Sequence, residues 1–275
     1  MKKHISKLLL SLIVLFSVFL IFLPHFTSSF LDIRQAKENE ERHQKLLEEK
    51  LAQRAIEEQK RVELEQKNYL MGKFDPAERA DFVLIPTEYT LGPQKMYLRR
   101  EAFDAYLHMQ SVASAEAVEL KIVSATRNFD YQKEIWEKKW SNFPIADEIE
   151  RLEKILEYSA APGTSRHHWG TEIDINTATS SYFDTEKGKK EYEWMTKNAP
   201  LFGFCQTYNL KGTSRITGYS EEKWHWSYLP LARNFTEQYK NLIKDEDIQG
   251  FLGSEYVPHL NLIQNYVLAI NPDCI

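Results

Sequence analysis

Residues 31–70 contain no glycine and no proline, and that continuity constrains the chain more than any other feature in it. Nothing there interrupts an i→i−4 ladder. The segment "RQAKENEERHQKLLEEKLAQRAIEEQKRVELEQKNYL" is dominated by strong helix formers, so it predicts one long helix. Glu41 and Lys45, Glu57 and Arg61, and Glu63 and Lys67 stand four apart with the acid first, the better orientation, worth about 0.2–0.5 kcal/mol each. Leu47, Leu51, Ala55 and Val62 are too sparse for a heptad seam. The helix therefore reads as a solvated stalk in preference to a dimerising coiled coil, and a homodimer through it stays open. Glycine and proline return at residues 72–76, "GKFDP", which should end the helix.

Ahead of the stalk, Lys2, Lys3 and Lys7 precede a nearly unbroken apolar run at residues 8–23. This is an export signal. Its length lies between the signal-peptide core of about 7–15 residues and the roughly 20 of a membrane helix. No A-x-A cleavage site follows, only Thr27, Ser28 and Ser29, and no nearby cysteine could take a lipid. An uncleaved anchor is preferred to a cleaved peptide, with the basic end in the cytoplasm and the remainder sent outward. The expected organisation is a signal anchor or signal peptide at 1–26, a charged stalk and linker at 27–79, a folded domain at 80–244 and a helical C-terminal extension at 245–275. The expected place is the cell envelope: anchored to the cytoplasmic membrane, or secreted or periplasmic if the segment is cleaved.

Beyond residue 80 the patterning switches between helical and strand periods with no repeat, which makes the class α+β. "YLRREAFDAYLHMQSVASAEA", "FDYQKEIWEKKW" and "TEKGKKEYEWMTKNA" read as helices. "LKIVSAT", "GTEIDIN", "FGFCQTY" and "KWHWSYL" read as strands, and the chain after Pro230 as mostly helical. A content of 43% hydrophobic and 13% aromatic residues suffices for a full core. A net charge of −5 disfavours nucleic-acid binding, which needs a basic field. Cys205 and Cys274 are too few for a disulfide framework, but one pair is open in an oxidising compartment.

The chemistry concentrates in "GTSRHHWGTEIDIN", residues 163–176, and in "EEKWHW". In a strand, Glu172 and Asp174 share one face. A histidine at the end of the preceding loop and a carboxylate on that strand can meet at one metal, because zinc takes imidazole nitrogen and carboxylate oxygen at about 2.0–2.2 Å. His225 offers a third ligand, which leaves a fourth position for water. Glu222, three residues earlier, could accept that water's proton and deliver it to a leaving amine. "SEEK" at residues 220–223 matches the S-x-x-K of serine enzymes by coincidence, since "KGT" has the wrong order for K-T-G.

Together the two clusters resemble the zinc D-alanyl-D-alanine carboxypeptidases of the VanY-like family, whose signature is S-x-H-x-x-G-x-A-x-D followed by E-x-W-H. Ser165, His167, Gly170 and Asp174 match the first part, and Glu222, Trp224 and His225 the second. "SATRNFDYQ" also looks like the family, and the likeness spans about residues 95–230. The resemblance implies a small zinc-peptidase domain with a mainly antiparallel sheet flanked by helices. It implies His167, Asp174 and His225 as Zn²⁺ ligands, Glu222 as general acid/base, and Arg127 as a catalytic residue that also engages substrate. Gln132 and Ser165 would help to hold the substrate. The implied reaction is hydrolysis of a peptide bond in peptidoglycan stem peptides, with release of the terminal D-alanine foremost. L,D-carboxypeptidase and endopeptidase activities would use the same site. A non-catalytic peptidoglycan-binding scaffold is the reading from another class, and no ligand is missing to favour it.

One position departs from the signature, which has alanine where this chain has Glu172. An unpaired buried carboxylate costs several kcal/mol, so Glu172 is expected to pair with Arg166, Arg127 or a substrate amine, or to reach solvent. His168 is the variable position and is expected beside the metal site or at the surface, not on the metal. Trp169, Trp224 and Trp226 are expected to pack in the core or the site wall, and Cys205 to be buried.

Overall fold

The structure, a computed structural model, describes the backbone of residues 2–275 and the side chains of residues 12–21 and 29–275. The membrane segment expected within residues 1–26 lies largely outside the described residues. Among those described, no helix is long and apolar enough to cross a membrane.

The chain divides into two compact units, residues 1–62 and residues 63–275. The first is helical, being part of α1 (Lys2–Leu70), and its described side chains are exposed. Arg34 meets Glu38 at 3.0 Å, Lys37 meets Glu41 at 3.9 Å and Arg61 meets Glu58 at 2.6 Å. Such exposed pairs add solubility more than stability.

In the second unit the last turns of α1 become part of a core. Leu70 and Met71 are buried, and Lys67 bridges Glu63 at 3.5 Å and Asp247 at 3.0 Å. The helix stops where the sequence predicts. Gly72 has φ +76 and lies so close to the His168 ring that a β-carbon there would clash with it.

A small hairpin of β1 (Phe82–Leu84) and β2 (Tyr97–Arg99) leads into α2 (Arg100–Ala115). The main sheet is built from β3 (Ile122–Ser124), β4 (Glu172–Ile175), β5 (Phe204–Gln206) and β6 (His225–Tyr228), in the spatial order β3-β4-β6-β5. Every pairing in it is antiparallel. Between the strands run α3 (Phe129–Asn142), α4 (Glu148–Leu156) and α5 (Glu186–Asn198), and α6 (Leu229–Leu242) follows β6. Polar caps start three of these helices: Asn128 accepts from the Tyr131 N–H, Asp147 from Ile149 and Glu150, and Thr185 from Gly188.

Period-two alternation divides the sheet. Ile122, Ile173, Ile175, Phe204 and Trp226 point to one face and pack with α2 and α5 around Tyr106, Met109 and Trp194. The opposite face is polar and just as buried, carrying Glu172, Asp174, His225 and Ser227. Beyond it lies a second core made by α3, α4 and α6 with the chain's last thirty or so residues, where Trp136, Trp169, Tyr239, Phe251 and Val267 meet. Cys205 on β5 and Cys274 form a disulfide, which settles the pairing that the sequence left open. Trp169 and Trp226 are core residues, as expected, and Trp224 stacks on Phe183.

Candidate metal centre

The site is assembled by strand register. β4 and β6 place Asp174 opposite His225, and Glu172 opposite Ser227. Directly opposed residues have β-carbons about 4.5–5.5 Å apart, so a carboxylate and an imidazole must meet there. His167 arrives from the loop on a short 3-10 turn, Arg166–Trp169, where the Ser165 hydroxyl accepts from the His167 N–H at 3.3 Å. Gly170 closes that turn at φ +70, pressed on the Phe82 ring where a side chain would not fit.

Three donor groups therefore converge. His167 Nε2 lies 3.2 Å from His225 Nδ1 and 3.3 Å from Asp174 Oδ2, and His225 Nδ1 lies 3.0 Å from Asp174 Oδ1. These are the residues whose ligand atoms could hold a metal together. Donors at about 2.0–2.2 Å from one tetrahedral zinc stand about 3.3–3.6 Å from each other, so the cluster fits such an ion to within a few tenths of an ångström. The far sides of the rings support that fit. His167 Nδ1 donates to the Ala125 carbonyl at 2.6 Å, which leaves Nε2 as a lone pair facing the cluster. His225 Nε2 stands 3.0 Å from Glu172 Oε2.

The charges are strongly coupled. Burial raises the Asp174 carboxyl, but His167 and His225 outweigh it and hold it well below the carboxylate range. Burial lowers the His167 ring, with Arg127 adding to it. Burial would lower His225 too, yet hydrogen bonding to Asp174 and Glu172 pushes it up to about 9. Glu222 moves the other way. Burial pushes its carboxyl up to about 7, opposed by His225 and reinforced by Asp174. Its Oε2 is 3.9 Å from His225 Nδ1.

Glu222, His167, Asp174 and His225 line a cavity of about 320 Å³ together with Arg127 and Ser165. Arg127 aims Nη2 at Asp174 Oδ2, 3.7 Å away, and its Nη1 donates to Gln132 Oε1 at 3.1 Å. Gln132 is buried, is not part of the cavity wall, and donates to the Ala160 carbonyl at 2.7 Å. It reaches the site through Arg127. Ser165 lines the cavity and also caps the turn that carries His167.

His168 is fully buried and faces away from the donors. Its Nδ1 donates to the Arg127 carbonyl at 2.6 Å and its Nε2 accepts from the Gly163 N–H at 3.0 Å. Glu172 does not reach solvent. It accepts from Ser227 at 2.6 Å and Thr171 at 3.1 Å, and meets Arg166 Nε at 3.4 Å. Tyr208, Tyr219 and Lys139 also line the cavity, and the sequence reading missed them. For Lys139 a signal existed: Tyr131, Ile135 and Lys139 recur every four residues on α3, one stripe facing the site. Tyr208 has none, because only the fold brings its ring to 4.8 Å from that of His225.

Comparison with known proteins gives a consistent result. The family model of VanY, D-alanyl-D-alanine carboxypeptidase, matches residues 95–231. The chain is 32% identical over 164 residues to YodJ of Bacillus subtilis (strain 168), provisionally named a carboxypeptidase, covering 58% of this chain and 56% of that protein. It is 31% identical over 121 residues to a D-alanyl-D-alanine carboxypeptidase of Enterococcus faecalis (strain ATCC 700802 / V583), covering 43% of each. The chain thus spans about half the length of the curated relatives it matches. A solved VanY D,D-pentapeptidase variant in complex with Zn(II) is 25% identical with a TM-score of 0.43, over 63% of this chain and 93% of that one.

Proposed function

The chain belongs, through residues 95–231, to the VanY D-alanyl-D-alanine carboxypeptidase family, and from that premise we propose that it is a zinc metallopeptidase of peptidoglycan stem peptides, releasing the terminal D-alanine. The observation that carries this is the convergence of His167, Asp174 and His225 at one wall of a cavity that also holds Glu222. Zinc bound by those three residues supplies a Lewis acid that polarises the scissile carbonyl and lowers the pKa of water toward 7.

The chain's own groups do the rest. Glu222 takes the proton of the attacking water as the C–O bond forms, and returns it to the amine nitrogen as the C–N bond breaks. Burial, which favours the protonated carboxyl, suits Glu222 to hold the proton between the two transfers. Arg127 offers a guanidinium to the developing oxyanion or to the terminal carboxylate, and Gln132 fixes that guanidinium from behind. Ser165 holds the His167 turn and presents its hydroxyl to the cavity.

The test is mass spectrometry of muropeptides with penta-, tetra- and tripeptide stems, incubated with the zinc-loaded protein and with its Glu222→Ala variant. Loss of one alanine from the pentapeptide by the parent alone establishes D,D-carboxypeptidase chemistry. Cleavage of the tetrapeptide or of a cross-link reassigns the bond to L,D-carboxypeptidase or endopeptidase action at the same site. Zinc binding without cleavage supports the peptidoglycan-binding scaffold.

The proposal extends to organisation. Residues 80–244 carry the catalytic residues, residues 1–26 anchor the chain to the cytoplasmic membrane, and residues 27–79 space the enzyme from it on the outer side. The exposed apolar side chains from Leu12 to Ile21 support the anchor. Alkaline extraction of membranes should leave the full chain in the pellet, whereas a cleaved signal would release it. Sedimentation of the full chain reads whether residues 27–79 pair two copies.

A further inference from the structure

Glu172 stands where the family signature has alanine, so no role for it can be inherited. Its surroundings define one. The carboxylate is fully buried on the polar face of the sheet, one strand position pair away from the donor cluster. Five groups surround it: Ser227 Oγ at 2.6 Å, His225 Nε2 at 3.0 Å, Thr171 Oγ1 at 3.1 Å, Arg166 Nε at 3.4 Å and Thr207 Oγ1 at 3.4 Å. Arg166 is itself buried, with Nη1 donating to Thr236 at 3.0 Å, Nη2 to Ser227 at 3.3 Å, and its guanidinium over the Trp169 ring.

A buried ion pair could exist only to neutralise Arg166. The place of His225 argues for more. Its Nδ1 faces His167 and Asp174, so that nitrogen must be the bare one if the ring is to bind a metal, and the proton must then sit on Nε2. Nε2 is buried and has no hydrogen-bond partner of aligned geometry, and the group nearest to it is Glu172 Oε2 at 3.0 Å, an ion-pair contact that leaves the carboxylate as its counterpart. Glu172 thus does for His225 what the Ala125 carbonyl does for His167.

We propose that Glu172 is a positioning residue for the metal centre: with Arg166, Ser227 and Thr171 holding its carboxylate in place, it keeps the His225 proton on Nε2 and turns Nδ1 toward the metal. The inference rests on the proposed zinc site. Outer partners of this kind are worth about 10–100-fold in metal affinity.

The experiment is zinc titration of the full chain against a chromophoric chelator, with variants chosen to separate positioning from folding. Replacing the pair by apolar residues of similar volume, Arg166→Met with Glu172→Leu, preserves packing while removing the acceptor. The expected result is a melting temperature near that of the parent and zinc affinity about 10–100-fold weaker, recovered when Glu172→Gln is combined with Arg166→Met. Affinity within twofold of the parent in the folded Arg166→Met, Glu172→Leu protein overturns the proposal. If that variant does not fold, the ¹⁵N spectrum of the zinc-loaded parent decides: His225 bound through Nδ1 with Nε2 protonated supports it, and the reverse overturns it. His167→Ala serves as the separate control, because a parent that binds zinc no better than this variant refutes the zinc site itself.

Discussion

Glu222→Gln should make the metal-free protein more stable and the enzyme inactive. The side chain is 9% exposed and, among the described residues, makes no ion pair shorter than the 3.9 Å approach to His225. Burial raises its carboxyl from the ordinary 4.5 to about 7. The gap is worth about 3 kcal/mol at ~1.4 kcal/mol per pH unit. Water in the cavity screens part of this, so about 1–3 kcal/mol is expected, or roughly 2–10 °C in Tm for a unit of this size. The sign follows from proton linkage. Between 4.5 and 7 the folded parent holds a proton that the unfolded chain has released, so parent stability falls as pH rises through that window. The amide has no such proton, and its advantage should be absent below 4.5 and complete above 7. Denaturant unfolding of both proteins with chelator present, from pH 4 to 8, reads this directly. Equal stability at pH 8 would refute the reasoning, because it would mean that the carboxylate is already compensated in the fold. Activity of the zinc-loaded variant should fall about 10²–10⁴-fold, the range for removing a general acid/base.

Three further outcomes follow from the same structure. Alanine at His167, Asp174 or His225 should each weaken zinc binding by more than the ~100-fold upper range for outer partners, read by competition with a chelator. His168→Gln strands the buried Arg127 carbonyl or the Gly163 N–H, costing about 1–3 kcal/mol at neutral pH. Burial holds the His168 ring down to about 3, so stability that it contributes above 6.5 is lost as pH falls from 6.5 toward 3, and the gap between variant and parent should narrow over that window. Reducing the disulfide between Cys205 and Cys274, which are 69 residues apart, should lower unfolding stability by about 4 kcal/mol in the chain-entropy account, seen as a fall in denaturant midpoint.

What the sequence revealed and what it hid divide along a physical line. The long helix was legible because a run without glycine or proline fixes it locally, and Gly72 marked its end. The candidate donors were legible only through the two clusters together, whose joint match to the family signature pointed to His167, Asp174, His225 and Glu222 where neither spacing sufficed alone, and strand register brings the first three within reach of one another. Residues placed by tertiary packing were not legible. His168 read as a surface or neighbouring position, yet the approach of Gly72 and the carbonyl of Arg127 enclose it. Gln132 read as a substrate contact, and the fold buries it between the Arg127 guanidinium and the Ala160 carbonyl. The disulfide joins strand β5 to a segment whose role the sequence left unread, and that segment proves to close one of the two cores.

Glu172 shows why such a departure repays attention. Taken from the strand pattern alone, it is a carboxylate on a buried face, which is a cost. Only the cross-strand partner Ser227, the Arg166 side chain from the loop and the far nitrogen of His225 offset that cost, by a hydrogen bond from Ser227 and by ion-pair contacts at 3.4 Å and 3.0 Å. The same register that sets Asp174 opposite His225 sets Glu172 beside the back of that ring. A strand carrying both a metal ligand and the group that orients another ligand needs the E-x-D spacing, because a one-residue shift would turn both carboxylates into the apolar core beneath α2 and α5.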